Sequence, residues 1–301
     1  MIAILKGGNS AERKVSLLTA KSVAESLVRQ KITYKEVDAA NKYWLKKVKE
    51  LSPEMVVNTL HGTFGEDGEI QSILEKNSIP FTGSGAKASA LTFNKIKTKR
   101  TVANKLKIRV PRNFSWSDIL PFPIVVKPNQ QGSSFGVSIV RKASELKSAI
   151  TSAQEYSGKD LIILEEYIEG KELTCGIIDV FGKIAALPLI EIVPQNEFFD
   201  YQSKYSTESG CEEICPARIP DKIALEVQEK SRQIHQLLGL KQYSRMDWIL
   251  RDDELYFLEA NSLPGMTPTS LLPKELTARG IGYDNFIRAL IHTVNSTPLQ
   301  F

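Results

Sequence analysis

The sequence predicts a mixed fold, a small parallel α/β unit followed by a longer α+β region, and three observations carry that expectation. Over the first ~88 residues, short apolar runs alternate with helical periodicity, the pattern of a parallel sheet with crossover helices. After Pro121-Phe122-Pro123 the strands come in pairs and the helices stand apart from them. A chain of 301 residues holds about two domains, or three small ones.

In order, Ile2 to Leu5 is an apolar run that stops at Gly7-Gly8, after which Leu17, Ala20, Ala24, Leu27 and Val28 recur at helical spacing. Ile32 to Val37, Met55 to Leu60 and Ile79 to Thr82 are further strands between helical segments, with Ile70, Ile73 and Leu74 on one helix face. One long polar helix is expected from Ala86 to about Leu106. Strands then follow at Ile124 to Lys127, Val137 to Val140 and Leu161 to Glu165, with a helix near Ala143 to Glu155. Thr174 to Val180 and Ile184 to Val193 are strands, Asp221 to Leu238 is a helix, and Tyr243 to Leu250 pairs with Glu254 to Ala260.

With 42% hydrophobic and 25% charged residues and a mean hydropathy of −0.18, the chain can bury a full core, which excludes disorder and a disulfide-stapled scaffold. The net charge of +4 is small and spread out, densest at Lys95, Lys97, Lys99 and Arg100, so nucleic acid is not indicated as a partner. Cys175, Cys211 and Cys215 make no disulfide framework and no zinc spacing, and are expected as reduced thiols in a cytoplasm. No run approaches the roughly 18 apolar residues that cross a bilayer, so secretion and membrane insertion are not expected.

Two constellations carry chemistry. Lys127-Pro-Asn-Gln-Gln-Gly-Ser-Ser-Phe-Gly136 lies between two strands, and such a loop can cradle phosphates with its backbone N–H groups while the lysine adds charge. A decorated hairpin turn is the ordinary alternative. Its Gly132-Ser-Ser134-Phe-Gly136 also fits a nucleophile elbow, but that motif needs a helix where Val137 to Val140 reads as strand. In the second constellation, Asp247 sits on one strand while Glu259 and Asn261 share a face of the next. Such hard oxygen donors suit Mg2+ beside nucleotide phosphates, and their apolar neighbours Met246, Trp248, Phe257 and Leu258 make a mere solvated cap less economical.

His61-Gly-Thr-Phe-Gly-Glu-Asp-Gly68 follows a strand at the carboxyl end of the parallel sheet, where such sheets bind ligands, and Glu12 follows the first strand in the same way. Each has a plain structural alternative, a loop histidine and a first-turn acid. P-loop, dinucleotide and zincin motifs are missing from the sequence.

Taken in order, GGNSAERKVS, HGTFGEDG, FTGSG, FNK, VVKPNQQGSSFGVS, LEEYIEGKE, FFDYQSKY, SRMDW and LEANSLPGMTPTSL resemble the D-alanine-D-alanine ligases of the ATP-grasp superfamily, from about Ile2 to Val294. The resemblance implies an N-terminal Rossmann-like substrate-binding domain over 1–88, a central ATP-grasp subdomain over 89–168 and a C-terminal one over 169–301. It implies ATP-dependent joining of two D-alanines through an acyl phosphate, for peptidoglycan precursors, in a cytoplasmic homodimer. The alternative is another D-amino acid or D-hydroxy acid pair, D-Ala-D-Ser or D-Ala-D-Lac.

Site roles follow from the same resemblance. Lys95 and Lys127 match phosphate-holding lysines, Ser134 belongs to the same nucleotide loop, Glu165, Glu166 and Ile168 meet adenine, and Glu172 meets the ribose. Asp247, Glu259 and Asn261 match ligands of two Mg2+ ions, with Mn2+ as an alternative. Arg245 and the Gly265 N–H match an oxyanion-stabilising pair. Glu12, Ser133 and Tyr205 match a trio around the first D-alanine, with His61 beside it. Lys204 matches a contact to the transferred phosphate, and Ser270 and Leu271 match contacts to the second substrate. Asn196 to Cys211 is expected as a lid that excludes water. The presence of Tyr205 favours an amine over a hydroxyl nucleophile. Gln131, Asn94 and Met246 depart from the family pattern, as does a short connection from Pro111 to Pro123.

Overall fold

The computed structural model describes residues 1–157, 162–180, 182–194 and 211–295, and over these it builds three sheets. In the first, β1 (Ile2–Lys6) lies between β2 (Tyr34–Asp38) and β3 (Met55–Asn58), all parallel, with Ile2 opposite both Tyr34 and Met55. β1 is apolar on both faces because both faces are covered. Ile2 and Ile4 pack with Val23 and Leu27 of α1 (Arg13–Arg29), while Ala3 and Leu5 pack with Val48 of α2 (Trp44–Leu51) and Leu74 of α3 (Glu69–Lys76). The carboxyl ends of β1 and β3 therefore open into the loops that carry Glu12 and His61.

The expected strand from Ile79 to Thr82 is a correction: it makes one isolated bridge, Phe81 to Val56. Pro80 has no N–H to give a ladder. The single helix expected from Ala86 to Leu106 is a second correction, because it is two, α4 (Ala86–Phe93) and α5 (Lys95–Leu106). Asn94 between them is extended, and its side chain accepts from the Lys97 N–H at 3.0 Å, a side-chain cap that starts a new helix. Lys95 thereby becomes a first-turn residue.

The second sheet runs β4 (Asn113–Phe114), β7 (Ile162–Glu166), β5 (Ile124–Pro128), β6 (Ser138–Val140), all antiparallel. Ile124, Val126 and Leu164 bury against Ala149 and Ala153 of α6 (Leu146–Ser157), whose small side chains let helix and sheet approach.

The third sheet is the largest. Its order is β11 (Cys211–Ile214), β10 (Ile190–Pro194), β8 (Lys171–Asp179), β12 (Gln242–Arg251), β13 (Glu254–Asn261), with β9 (Ala185–Ala186) paired to β8. The strand expected from Ile184 to Val193 is thus broken in two, with Pro188 in the gap. One sheet face packs on Ile223, Val227 and Ile234 of α7 (Asp221–Leu237). Beyond β13 come α8 (Leu271–Ala278) and α9 (Tyr283–Asn295), and Phe286 and Leu290 of α9 join Ile178 and Tyr243 to Ile2 and Leu27, so one core links the first sheet to the third. Among the described residues no helix is long and apolar enough to cross a membrane.

Candidate active site

The acids on β12 and β13 face a cleft, and just beyond them the pairing of these strands slips. Asp247 lies opposite Glu259 and Arg245 opposite Asn261, yet Trp248 lies opposite Phe257, which leaves Leu258 as a bulge. Strict alternation would put Phe257 on the same face as Glu259. The bulge instead sends Trp248 and Phe257 into the core, ring centroids 5.5 Å apart, while Leu258 and Glu259 both face the cleft. This register was invisible in the sequence, which nevertheless placed the two acids and the amide together.

α5 brings the first cation. Its opening N–H groups dock on the loop after β5, Lys95 N–H to the Asn129 carbonyl at 3.2 Å and Ile96 N–H to Asn129 Oδ1 at 3.0 Å. These bonds satisfy donors that a helix start leaves open, and they bring Lys95 next to Lys127 at the end of β5. Lys95 Nζ then donates to the Gln131 carbonyl at 2.6 Å and sits 3.2 Å from Glu259 Oε2. Burial alone would push the Glu259 carboxyl up, but Lys95, Lys127 and Arg245 outweigh it and hold the group down at about 2.

Two cavities meet here. One, of about 1100 Å³, lies between the second and third sheets and is lined by Lys127, Glu166, Ile168, Glu172 and Asp247 among others. The other, of about 630 Å³, is lined by Glu12, His61, Ser133, Arg245, Asn261, Gly265, Ser270 and Leu271. Lys95, Gln131, Ser134 and Glu259 belong to the walls of both. The first matches the size of a drug- or cofactor-sized ligand site and the second a smaller one. All the sequence-expected site residues among the described ones line these two spaces. Lys204 and Tyr205, with most of the expected lid, lie outside the described residues.

In the smaller cavity Glu12 is cradled by glycines. A Cβ on Gly62, whose φ of +69° already favours glycine, would lie 2.6 Å from Glu12 Oε2, and one on Gly132 would lie 2.9 Å from it. Ser133 Oγ donates to Glu12 Oε1, whereas the buried Oε2 has no hydrogen-bond partner among the described residues. Burial, and then Glu66, raise the Glu12 carboxyl to about 6 against the pull of His61, Ser133 and Lys95. His61 itself is fixed from both ring nitrogens, Nδ1 3.2 Å from Glu66 Oε1 and Nε2 3.0 Å from Thr19 Oγ1. Ser133 and Ser134, with φ of 51° and 57°, hold consecutive left-handed conformations in the loop that separates the cavities. Such conformations cost energy and collect at functional sites.

Arg245 and Asp247, two apart on β12, make a two-point pair, Nε to Oδ1 at 2.8 Å and Nη2 to Oδ2 at 2.7 Å. Thr174 Oγ1 donates to Asp247 Oδ1 at 2.7 Å. Gly265 is packed against Ser270, whose Oγ accepts from the Thr267 N–H at 3.1 Å just ahead of α8. In the larger cavity the Glu165 carboxylate is held by lysines on both oxygens, by Lys99 on Oε2 and by Lys127 on Oε1 at 3.2 Å.

The donor set of Asp247, Glu259 and Asn261 fits a hard divalent cation. It offers two carboxylates and an amide oxygen on one sheet face, with Glu259 kept ionised. Among the described residues no cluster of three or more His, Cys, Asp and Glu could hold a metal.

Three side chains that hold residues of this site were not singled out from the sequence. Glu66 stood inside a quoted motif, and Lys99 stands one helical turn after Lys95, a spacing that could have signalled it. Thr174 acts through a cross-strand contact to Asp247 that sequence spacing does not encode.

The family model described as D-ala D-ala ligase C-terminus matches residues 91–292, and the one described as D-ala D-ala ligase N-terminus matches residues 37–84. The chain belongs to the D-alanine-D-alanine ligase family. Family members named D-alanine-D-alanine ligase include those of Citrifermentans bemidjiense, 39% identical over 98% of this chain and 96% of the relative, and of Syntrophobacter fumaroxidans, 39% identical over 96% of each. Among solved structures, D-alanine-D-alanine ligase from Bacillus anthracis complexed with ATP is similar at a TM-score of 0.81 and 30% identity, covering 98% of this chain and 97% of that one. VanG D-Ala:D-Ser ligase from Enterococcus faecalis is similar at 0.80 and 28%, covering 97% and 98%. These D-Ala ligase family structures share the mixed α/β build with several sheets.

Proposed function

We infer that this protein joins two D-alanines at the expense of ATP, giving D-alanyl-D-alanine, ADP and phosphate for peptidoglycan precursor synthesis. Beside its family membership, one observation carries the reading: a nucleotide-sized cavity and a smaller polar one share Lys95 and Glu259 as a common wall. A phosphoryl group passing from one to the other would cross that wall.

The three sheets support an N-terminal substrate-binding unit over 1–88 and two ATP-grasping subdomains over 89–168 and 169–301, with ATP in the cleft between the latter. The Glu166 to Ile168 backbone and Glu172 would meet adenine and ribose, and the loop of Ser134 with Lys95 and Lys127 would meet the phosphates. Glu165 contributes less as an adenine contact than as an anchor, because both of its oxygens are already held by lysines. Asp247, Glu259 and Asn261 would hold two Mg2+, or Mn2+, which when bound neutralise charge on the phosphate oxygens.

In the smaller cavity the unpartnered Glu12 Oε2 is the natural acceptor for the ammonium of the first D-alanine, since a buried carboxylate oxygen is costly to leave unbonded. A carboxylate oxygen of that substrate attacks the γ-phosphorus, ADP leaves, and an acyl phosphate forms. Lys95 and Lys127 stabilise the charge that accumulates there. The second D-alanine, its carboxylate at Ser270 and the N-terminus of α8 and its methyl at Leu271, then presents its amine to the acyl carbon. Arg245 and the Gly265 N–H stabilise the tetrahedral oxyanion, which collapses as phosphate departs carrying the proton lost from the attacking amine. Ser133 orients Glu12, and His61, locked by Glu66 and Thr19, lines the same pocket. Lys204 and Tyr205 are proposed to complete this site from the segment that closes over it. A cytoplasmic homodimer is proposed on the family resemblance.

Phosphate release from ATP, measured across D- and L-amino acids, D-serine and D-lactate, tests the reading. Release that depends on D-alanine is expected. Release that needs another acid, or none, would overturn it.

A further inference from the structure

Lys99 is a fully buried lysine, 1% exposed, on the nucleotide side of the site. A lysine is almost never buried without a partner, because desolvating an ammonium is costly. Its partner is Glu165, itself buried, whose other oxygen is held by Lys127. Lys95 and Lys99 stand one turn apart on α5, so two successive turns of one helix deliver ammonium groups to two different acids, Glu259 and Glu165. Lys127 and Glu165 form part of the wall of the larger cavity, and Lys99 lies behind them.

We propose that Lys99 is a positioning residue for ATP: it occupies one oxygen of Glu165, so that the acid steadies Lys127 without capturing it, and Lys127 stays extended toward the phosphates. The inference rests on the nucleotide reading of Lys127 given above. The two ammonium groups repel each other, so Lys99 offsets part of the pull that Glu165 exerts on Lys127. Lys99 bears the cost of this arrangement. Burial, and then Lys127, lower its ammonium to about 8 even though Glu165 favours the charged form.

The test compares KM for ATP and KM for D-alanine in two variants of Lys99. Lys99→Met leaves the Lys127 and Glu165 charges balanced and is expected to raise KM for ATP about tenfold while KM for D-alanine stays within about twofold, because Glu165 now holds Lys127 alone. Lys99→Arg keeps a cation on Glu165, so its KM for ATP is expected within about threefold of the parent, and it decides the question even if Lys99→Met does not fold. A folded Lys99→Arg tenfold weaker for ATP would overturn the proposal, as would an unchanged KM for ATP in a folded Lys99→Met. Lys127→Met separates the two levels: an unchanged KM for ATP there would remove the nucleotide reading itself.

Discussion

Lys95 Nζ lies 3.2 Å from Glu259 Oε2, across the wall where the two cavities join. The pair ties α5 to β13 at the point where phosphate transfer would occur. Replacing Glu259 with Gln keeps the side-chain shape but removes the charge proposed to bind metal and releases Lys95. We expect turnover to fall about a hundredfold or more with little change in the thermal midpoint, since Glu259 is part-exposed. D-alanine-dependent phosphate release and a melting curve on the same sample check this, and a fully active variant would refute the metal role.

Arg245 is part-buried, and Asp247 and then Glu259 outweigh the desolvation and keep it charged. The oxyanion role proposed for Arg245 would be worth about two to three powers of ten in kcat. Arg245→Lys keeps a charge but loses the two-point bond to Asp247, so kcat should fall by that order while KM for ATP changes little. A loss confined to KM would place Arg245 outside the transition state.

Glu12, raised to about 6, must be ionised to receive an ammonium group. The apparent affinity for the first D-alanine should therefore weaken as pH falls through about 6. Because Glu66 is the second cause of that elevation, Glu66→Gln should move this acid limb to lower pH. A pH profile of kcat/KM for D-alanine reads the shift directly, and an unmoved limb would dissociate Glu12 from substrate binding.

Glu275 is the most deeply buried acid near the site. Its Oε1 accepts from the Gly176 N–H at 2.8 Å, its Oε2 has no partner among the described residues, and burial pushes the group up to about 8. The folded protein therefore holds a proton between about 4.5 and 8 that the unfolded chain releases. Stability from this group is full below about 4.5 and is lost as pH rises toward 8. Glu275→Gln, which can still accept from Gly176, should flatten that decline, so the gain in urea midpoint over the parent is larger at pH 8.5 than at pH 5.5. Equal declines in both proteins would mean that the acid is not held neutral.

Much of this site was legible because its chemistry is written in local strings. Lys127 with its Gly-Ser loop, the pair of acids and the amide on adjoining strands, and His61 after β3 each announce themselves by residue type and spacing. Less legible were features that depend on register or on distant partners. The bulge at Leu258 reverses the face of Phe257, and no sequence period marks it. Asn94 breaks a helix that periodicity alone would continue, although an asparagine at a helix start is a recognised cap. Lys99 looked like one more charge in a basic helix, and only its burial against Glu165 distinguishes it from the solvated lysines beside it. Pro80 and Pro188 likewise carried a signal, a missing N–H, that outweighed the apolar character of the runs around them.

Phosphate is expected to cross from the nucleotide cavity onto a D-alanine carboxylate before the amide bond forms. D-Alanine labelled with 18O in its carboxylate tests it most directly, because the bridging oxygen of an acyl phosphate leaves with phosphorus. One 18O per released phosphate, in step with D-alanyl-D-alanine formation, is the predicted result; unlabelled phosphate alongside dipeptide would contradict it.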